Sequence, residues 1–329
     1  MEPSQPVNPE ATSDTLTRQL AGQIREEMTK VIVGQHYVID HMIIALLAGG
    51  HVLLEGVPGI AKTLMVKTLA RAVSGGFKRI QFTPDLMPSD VIGTNIFDTK
   101  TSQFVLKKGP IFTNLALIDE VNRAPAKTQA ALLEVMEERQ VTIDGTPYPL
   151  SEPFMVFATQ NPIEYEGTYA LPEAQLDRFM FKILIDYPQA EEEQNILVHY
   201  HNGFDARDLE SAGVHPVVDA QKIQACRDEI RQIAVENGII QYITQIVRKT
   251  RDYPSIMVGA SPRASVALLL AAKVRAAMNG FRYVNPDQVK FIARPVMRHR
   301  IILQPEAELE GVKPDEVIGD ILNAVPVPR

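Results

Sequence analysis

Lys62 and Thr63 close the octet GVPGIAKT, residues 56–63, which departs from the phosphate-loop pattern G-x-x-x-x-G-K-[ST] only where Ala61 replaces glycine. An ammonium and a hydroxyl at the end of a glycine turn suit a nucleotide. Lys62 would reach the β- and γ-phosphates, and Thr63 would hold Mg²⁺. Further along, LALIDE ends in Asp119 and Glu120. Asp119 suits orienting Mg²⁺ or its waters, and Glu120 suits polarising an attacking water, a role that simple nucleotide binding does not need. Asn161 comes next to last in FMVFATQNP, where an amide can position water near a γ-phosphate, although Asn-Pro alone equally marks a turn. Arg178 precedes the apolar run FMFKILID; such an arginine is more often an ion-pair partner than a catalyst.

These groups need elements to hold them. HVLLEG reads as a short buried strand, and TLMVKTLARAV repeats apolar residues at helical spacing, giving strand, turn and helix. Gly56 and Gly59 let the backbone bend around an anion at which the new helix aims its unpaired N–H groups. Ala61 is then expected at helical angles, where a Cβ is tolerated. If LALID and FMVFATQ run parallel to the first strand, the acids and Asn161 emerge at the same carboxyl edge as the loop. Arg263 sits in the first turn of another helix, with Ser261 as N-cap and Pro262 at the first position. A cation there opposes the helix dipole, which makes sense if an anion comes close.

Length and composition set limits. A chain of 329 residues suggests two domains, and 45% hydrophobic with 22% charged residues is ordinary for globular proteins. A net charge of -7 argues against a general nucleic-acid surface. The single cysteine, Cys226, excludes an internal disulfide and reads as a buried helical thiol. The start of the chain is polar and proline-rich, lacks a signal-peptide pattern and is expected to be a flexible tail. Apolar runs are interrupted before they reach membrane-spanning length, so a cytoplasmic protein without membrane insertion is expected.

The order of these elements resembles the AAA+ ATPases, and the wording of GVPGIAKT, LIDEVNRAPAKTQAALLEVMEERQVTIDG and FATQNPIEYEGTYALPEAQLDRF is similar to the MoxR family. The likeness runs from about Val31 to RPVMRHRI, and alanine before the lysine is a habit of that family. The resemblance implies an α/β P-loop core with a parallel sheet flanked by helices, a smaller C-terminal helical lid, and ATP hydrolysis with Mg²⁺ between subunits of a ring, a hexamer by family expectation. It implies ATP contacts from the whole loop, Gly56, Val57, Pro58, Gly59, Ile60, Ala61, Lys62 and Thr63, and from Leu64 after it. It places Val33, Gly34 and Gln35 against the adenine. By the same resemblance Asn161 is the first sensor, Arg178 the neighbour's arginine finger and Arg263 the second sensor, with its action in cis or in trans left open. Implied partners carry von Willebrand factor A domains, or are other client proteins that the ring remodels or matures.

The expected division is a tail over residues 1–17, a nucleotide-binding core over 18–204 and a lid over 205–329. Two insertions read as hairpins, one turning at Asp98–Ser102 and one at Asp144–Gly145. The second carries no lysine or arginine, which weighs against a DNA-gripping finger. Arg294, Arg298 and Arg300 read mainly as a solvated basic face, with a subunit-interface role as the alternative. Two rival functions share these features, a DNA-dependent motor and a magnesium-chelatase-type motor subunit. Stimulation by DNA would point to the first, and co-purification with a chelatase catalytic subunit to the second.

Overall fold

A computed structural model describes residues 15–160, 169 and 171–328. In chain order the first half holds α1 (Leu16–Thr29), α2 (His36–Ala48), β1 (Val52–Glu55), α3 (Lys62–Ala72), β2 (Phe77–Gln81), α4 (Pro88–Ile92), β3 (Gly93–Asp98), β4 (Gln103–Lys108) and β5 (Leu115–Asp119). Then come α5 (Ala126–Glu138), β6 (Gln140–Ile143), β7 (Thr146–Pro149), β8 (Met155–Gln160), α6 (Glu173–Leu176), β9 (Phe181–Leu184) and α7 (Ala190–His201). The remainder comprises α8 (Ala220–Arg231), α9 (Asn237–Lys249), β10 (Ile256–Val258), α10 (Pro262–Met278), α11 (Pro286–Met297), β11 (Ile302–Leu303), α12 (Pro305–Leu309) and α13 (Pro314–Ala324).

Five strands form one sheet in the order β2-β5-β8-β1-β9, parallel throughout. Their side chains alternate between two cores, as period-two geometry requires. Val52, Leu54, Leu117 and Phe157 join one hydrophobic cluster, while Leu53, Ile118, Val156 and Ala158 face the other. Both faces being covered explains why these strands read as continuous apolar runs. The fold is the expected α/β sheet flanked by helices. Both insertions are antiparallel hairpins, β3–β4 and β6–β7, the second turning through left-handed Asp144 and Gly145.

The first cluster does not break at residue 205. It runs from Leu20 to Val325 and takes in α1, α2 and the C-terminal helices together. Asp40 on α2 is paired with both Arg25 on α1 and Arg275 on α10, at 2.6 and 3.0 Å, and Thr17 donates to Glu229 on α8 at 2.5 Å. Cys226 lies buried in α8, where burial pushes its thiol up to about 11.

Of the basic cluster, Arg294 is exposed as expected, but Arg298 and Arg300 are not on a solvated face. The side chains of Arg298 and Arg300 are 7% and 3% exposed and pair with Asp315 and Asp177 at 2.7 and 2.6 Å. Arg294 donates to the Asp315 carbonyl. The physical reason is the sheet edge. On the outermost strand and the segment leading into it, carbonyls need donors that no further strand supplies. The two guanidinium forks provide them, Arg298 to Lys182 and Arg300 to Asp177, Phe179 and Met180.

Candidate nucleotide site

The loop between β1 and α3 bends as its glycines allow. A Cβ on Gly56 would meet the Ile185 carbonyl oxygen at 2.5 Å, so only glycine fits, and Gly59 has φ +87° in open space, so its demand is conformational. Ala61 corrects the sequence reading. It has φ 60° and ψ 22°, left-handed rather than helical, and α3 begins one residue later at Lys62. The pattern's glycine belongs at such a position because an L-residue there is strained by roughly 1–2 kcal/mol. No side chain caps the start of α3, so its first N–H groups face the loop without a protein acceptor from the cap, as an anion site requires.

Lys62 is half-buried, and its ammonium donates to the Gly56 carbonyl at 2.5 Å. Burial lowers its pKa, opposed by the charges of Asp119, Glu55 and Glu120. A cavity of about 630 Å³ gathers Lys62, Thr63, Asp119 and Glu120 beside the loop, so the predicted phosphate, metal and water-activating groups converge. A second cavity, of about 390 Å³, lies beyond Pro58, Ile60, Ala61 and Leu64 and is lined by Val33 and Gln35, with Tyr187, Leu197 and Tyr200 opposite. Its apolar walls suit a purine ring. Gly34 abuts the Glu192 carboxylate and has φ +66°, a backbone conformation that favours glycine. Val57 packs against the hydrophobic cluster instead of lining either cavity. Asn161 lies outside the described residues.

The acidic pair is held by residues that the sequence reading missed. Thr159 on β8 donates to Asp119 Oδ1 at 2.6 Å and accepts the Glu120 N–H at 2.9 Å. Arg79 on β2 pairs with Asp119 Oδ2 at 2.6 Å, and Gln81 donates to Glu120 Oε2 at 2.8 Å, where Arg123 also lies at 3.1 Å. The available signals were a hydroxyl in an otherwise apolar strand and two polar residues two apart on β2, which therefore share a face. Three of the seven non-glycine residues with positive φ among the described residues are Gln35, Ala61 and Glu120. Strained backbone gathered at one place is a mark of function. The residues present fit a Mg²⁺-nucleotide: an uncapped helix start and Lys62 for phosphate, Thr63 and Asp119 for the metal.

Arg178 and Arg263 are not in this cavity. β9 runs parallel to β1 with Phe181 opposite Val52 and Leu184 opposite Glu55. Arg178 precedes β9, so it lies at the amino edge, whereas the loop leaves the carboxyl edge, separated by about 13 Å of four-residue strand. There Arg178 Nε pairs with Glu137 Oε2 at 2.8 Å, and Arg263 Nη2 pairs with Glu137 Oε1 at 2.9 Å. The two arginines are thus neighbours of one another and remote from their own chain's phosphate loop.

Comparisons with known proteins agree with this geometry. Residues 51–181 match the family model for the ATPase family associated with various cellular activities (AAA), and residues 248–321 match the AAA lid domain. The chain is 46% identical over 309 residues to the uncharacterized protein YeaC of Bacillus subtilis, covering 94% of this chain and 95% of that one. It is 45% identical over 318 residues to Chaperone MoxR1 of Mycobacterium tuberculosis, covering 92% and 81%. A crystal structure from Cytophaga hutchinsonii superposes with a TM-score of 0.87 at 44% identity, covering 95% of this chain and 96% of that one. Identity along nearly the whole length to proteins so named, together with the family-model matches to an AAA core and an AAA lid, places this chain in the MoxR family of AAA+ ATPases.

Proposed function

We propose that copies of this chain assemble into a cytoplasmic ring, a hexamer by family expectation, and hydrolyse ATP between neighbouring subunits to remodel or mature partner proteins. One subunit supplies the loop, Mg²⁺ ligands Thr63 and Asp119, and Glu120 to activate water. The next supplies Arg178 and Arg263, whose charge meets that developing on the γ-phosphate. The supporting observation is the placement of both arginines at the sheet edge opposite the loop, which favours a phosphate held by another copy. A client protein is favoured by the kinship to a protein named a chaperone. Partners with von Willebrand factor A domains follow from the family resemblance.

Subunit mixing tests the shared site. Arg178→Ala and Lys62→Ala are each expected to be inactive, but when their subunits exchange, some interfaces pair an intact loop with an intact finger and turnover returns. A mixture that stays inactive while exchange is verified by fluorescence transfer would remove Arg178 from the role.

A further inference from the structure

Glu137 is the next-to-last residue of α5, where a carboxylate sits at the negative end of the helix dipole. Arg263 occupies the first turn of α10, where a cation sits at the positive end. Each charge is unfavourable at its own helix end, and each meets its opposite in the other. Arg178 joins the same carboxylate, so one anion bridges two cations on a partly exposed surface. Glu137 takes only one nitrogen of each guanidinium, Nε of Arg178 and Nη2 of Arg263. Donors on both forks therefore remain for a further anion. The two hydrogen-bonded cations, Arg178 foremost, hold the Glu137 carboxyl below its ordinary range, so it stays ionised at neutral pH.

Beneath this bridge lies a second tie between the same elements. Asp177, adjacent to Arg178, accepts from Ser261 Oγ at 2.8 Å, and Ser261 is the N-cap of the helix carrying Arg263. The other Asp177 oxygen accepts from buried Arg300 at 2.6 Å. The backbones bearing the two arginines are thus locked from below, while their side chains are gathered from above by one carboxylate.

We infer that Glu137 is a positioning residue which orients Arg178 and Arg263 as a single two-pronged clamp for the γ-phosphate bound by the neighbouring subunit. This rests on the shared-site reading proposed above. Glutamate is suited to the task because its two oxygens accept from two cations at once. Glutamine would offer one acceptor and turn an N–H toward the other guanidinium. Misplacing a charge-stabilising group by about 1 Å costs up to 10²-fold in rate.

The test compares kcat and nucleotide affinity for Glu137→Gln, Arg178→Ala and Arg263→Ala, then mixes subunits. Glu137→Gln is expected to lower kcat on the order of 10- to 100-fold while ADP affinity stays within about twofold, because the loop lies at the other sheet edge. Mixing it with Lys62→Ala subunits should restore turnover, since those subunits carry an intact clamp and the Glu137→Gln subunits an intact loop. Mixing it with Arg178→Ala subunits should not, since both lack the clamp. A misfolded variant would fail in both mixtures. Wild-type kcat for Glu137→Gln beside inactive arginine variants overturns this inference and spares the shared-site reading. Rescue by Arg178→Ala subunits, or a variant that keeps its ADP affinity yet is rescued by neither mixture, also overturns it. Wild-type turnover in both arginine variants overturns the two readings together.

Discussion

Replacing Ala61 by glycine asks the backbone which well it occupies. At φ 60° and ψ 22° the alanine methyl crowds the following carbonyl, a strain of roughly 1–2 kcal/mol that glycine does not carry. Glycine loses more freedom on folding, which costs about 0.5–1 kcal/mol relative to alanine. The difference favours glycine by about 0.5–1 kcal/mol, a factor of roughly two to five in the folding equilibrium. Ala61→Gly is thus expected to raise the unfolding free energy of nucleotide-free protein by that amount in a urea titration. Helical angles at this residue would reverse the sign, because only the entropy term would remain. Ala61→Val supplies the opposite perturbation: a β-branched residue in the left-handed well is a true outlier and should lower stability below that of the parent. ATP affinity, followed by isothermal titration in the inactive Glu120→Gln background, should change by less than about twofold on Ala61→Gly if the loop keeps its conformation with nucleotide bound, since the strain is then common to both states. Loss of stability in Ala61→Gly together with tolerance of valine would refute the left-handed placement.

Two further predictions concern stability. Arg300→Ala leaves Asp177 and several carbonyls without their donor in a buried setting, so it is expected to cost about 3–5 kcal/mol in chemical denaturation. His41 and His51 are buried neutral, their pKa values lowered to about 4 chiefly by desolvation, against 6.5 when unfolded. Between those values the unfolded chain binds more protons than the folded one, so stability falls as pH drops through 6.5 toward 4. From pH 7.5 to 5.5 the expected loss is roughly 1 kcal/mol per histidine, measured by urea unfolding at the two pH values. A flat profile would contradict the burial of the neutral rings.

The loop, the acidic pair and the sheet were legible because their signals are local. Glycines at fixed spacing, a lysine at a helix start and an apolar strand ending in acids can each be recognised within ten residues. Arg298 and Arg300 were misread for the converse reason. Their spacing looks like an exposed basic face, and the demand that buries Arg298 and Arg300 comes from carbonyls around β9, more than a hundred residues away in the chain. The angle at Ala61 depends on where α3 begins, and helix boundaries are what periodicity fixes least.

The same distinction explains why the sequence left open which subunit Arg263 serves. An arginine in the first turn of a helix announces an anion but not its direction. In the proposed reading direction comes from Glu137, which the sequence presents as one acid among three from Glu134 to Glu138. Only the fold brings that acid to Arg178 and Arg263 at once, and only the parallel registry of β1 and β9 puts the trio at the edge away from the phosphate loop. If Arg263 acted on its own subunit's nucleotide, it would have to leave Glu137 and cross the length of the sheet, taking the Ser261 cap away from Asp177. Acting on a neighbour asks for no such rearrangement. The buried Arg300 anchor, which ties Asp177 to that edge of the sheet, therefore supports the proposed site shared between subunits.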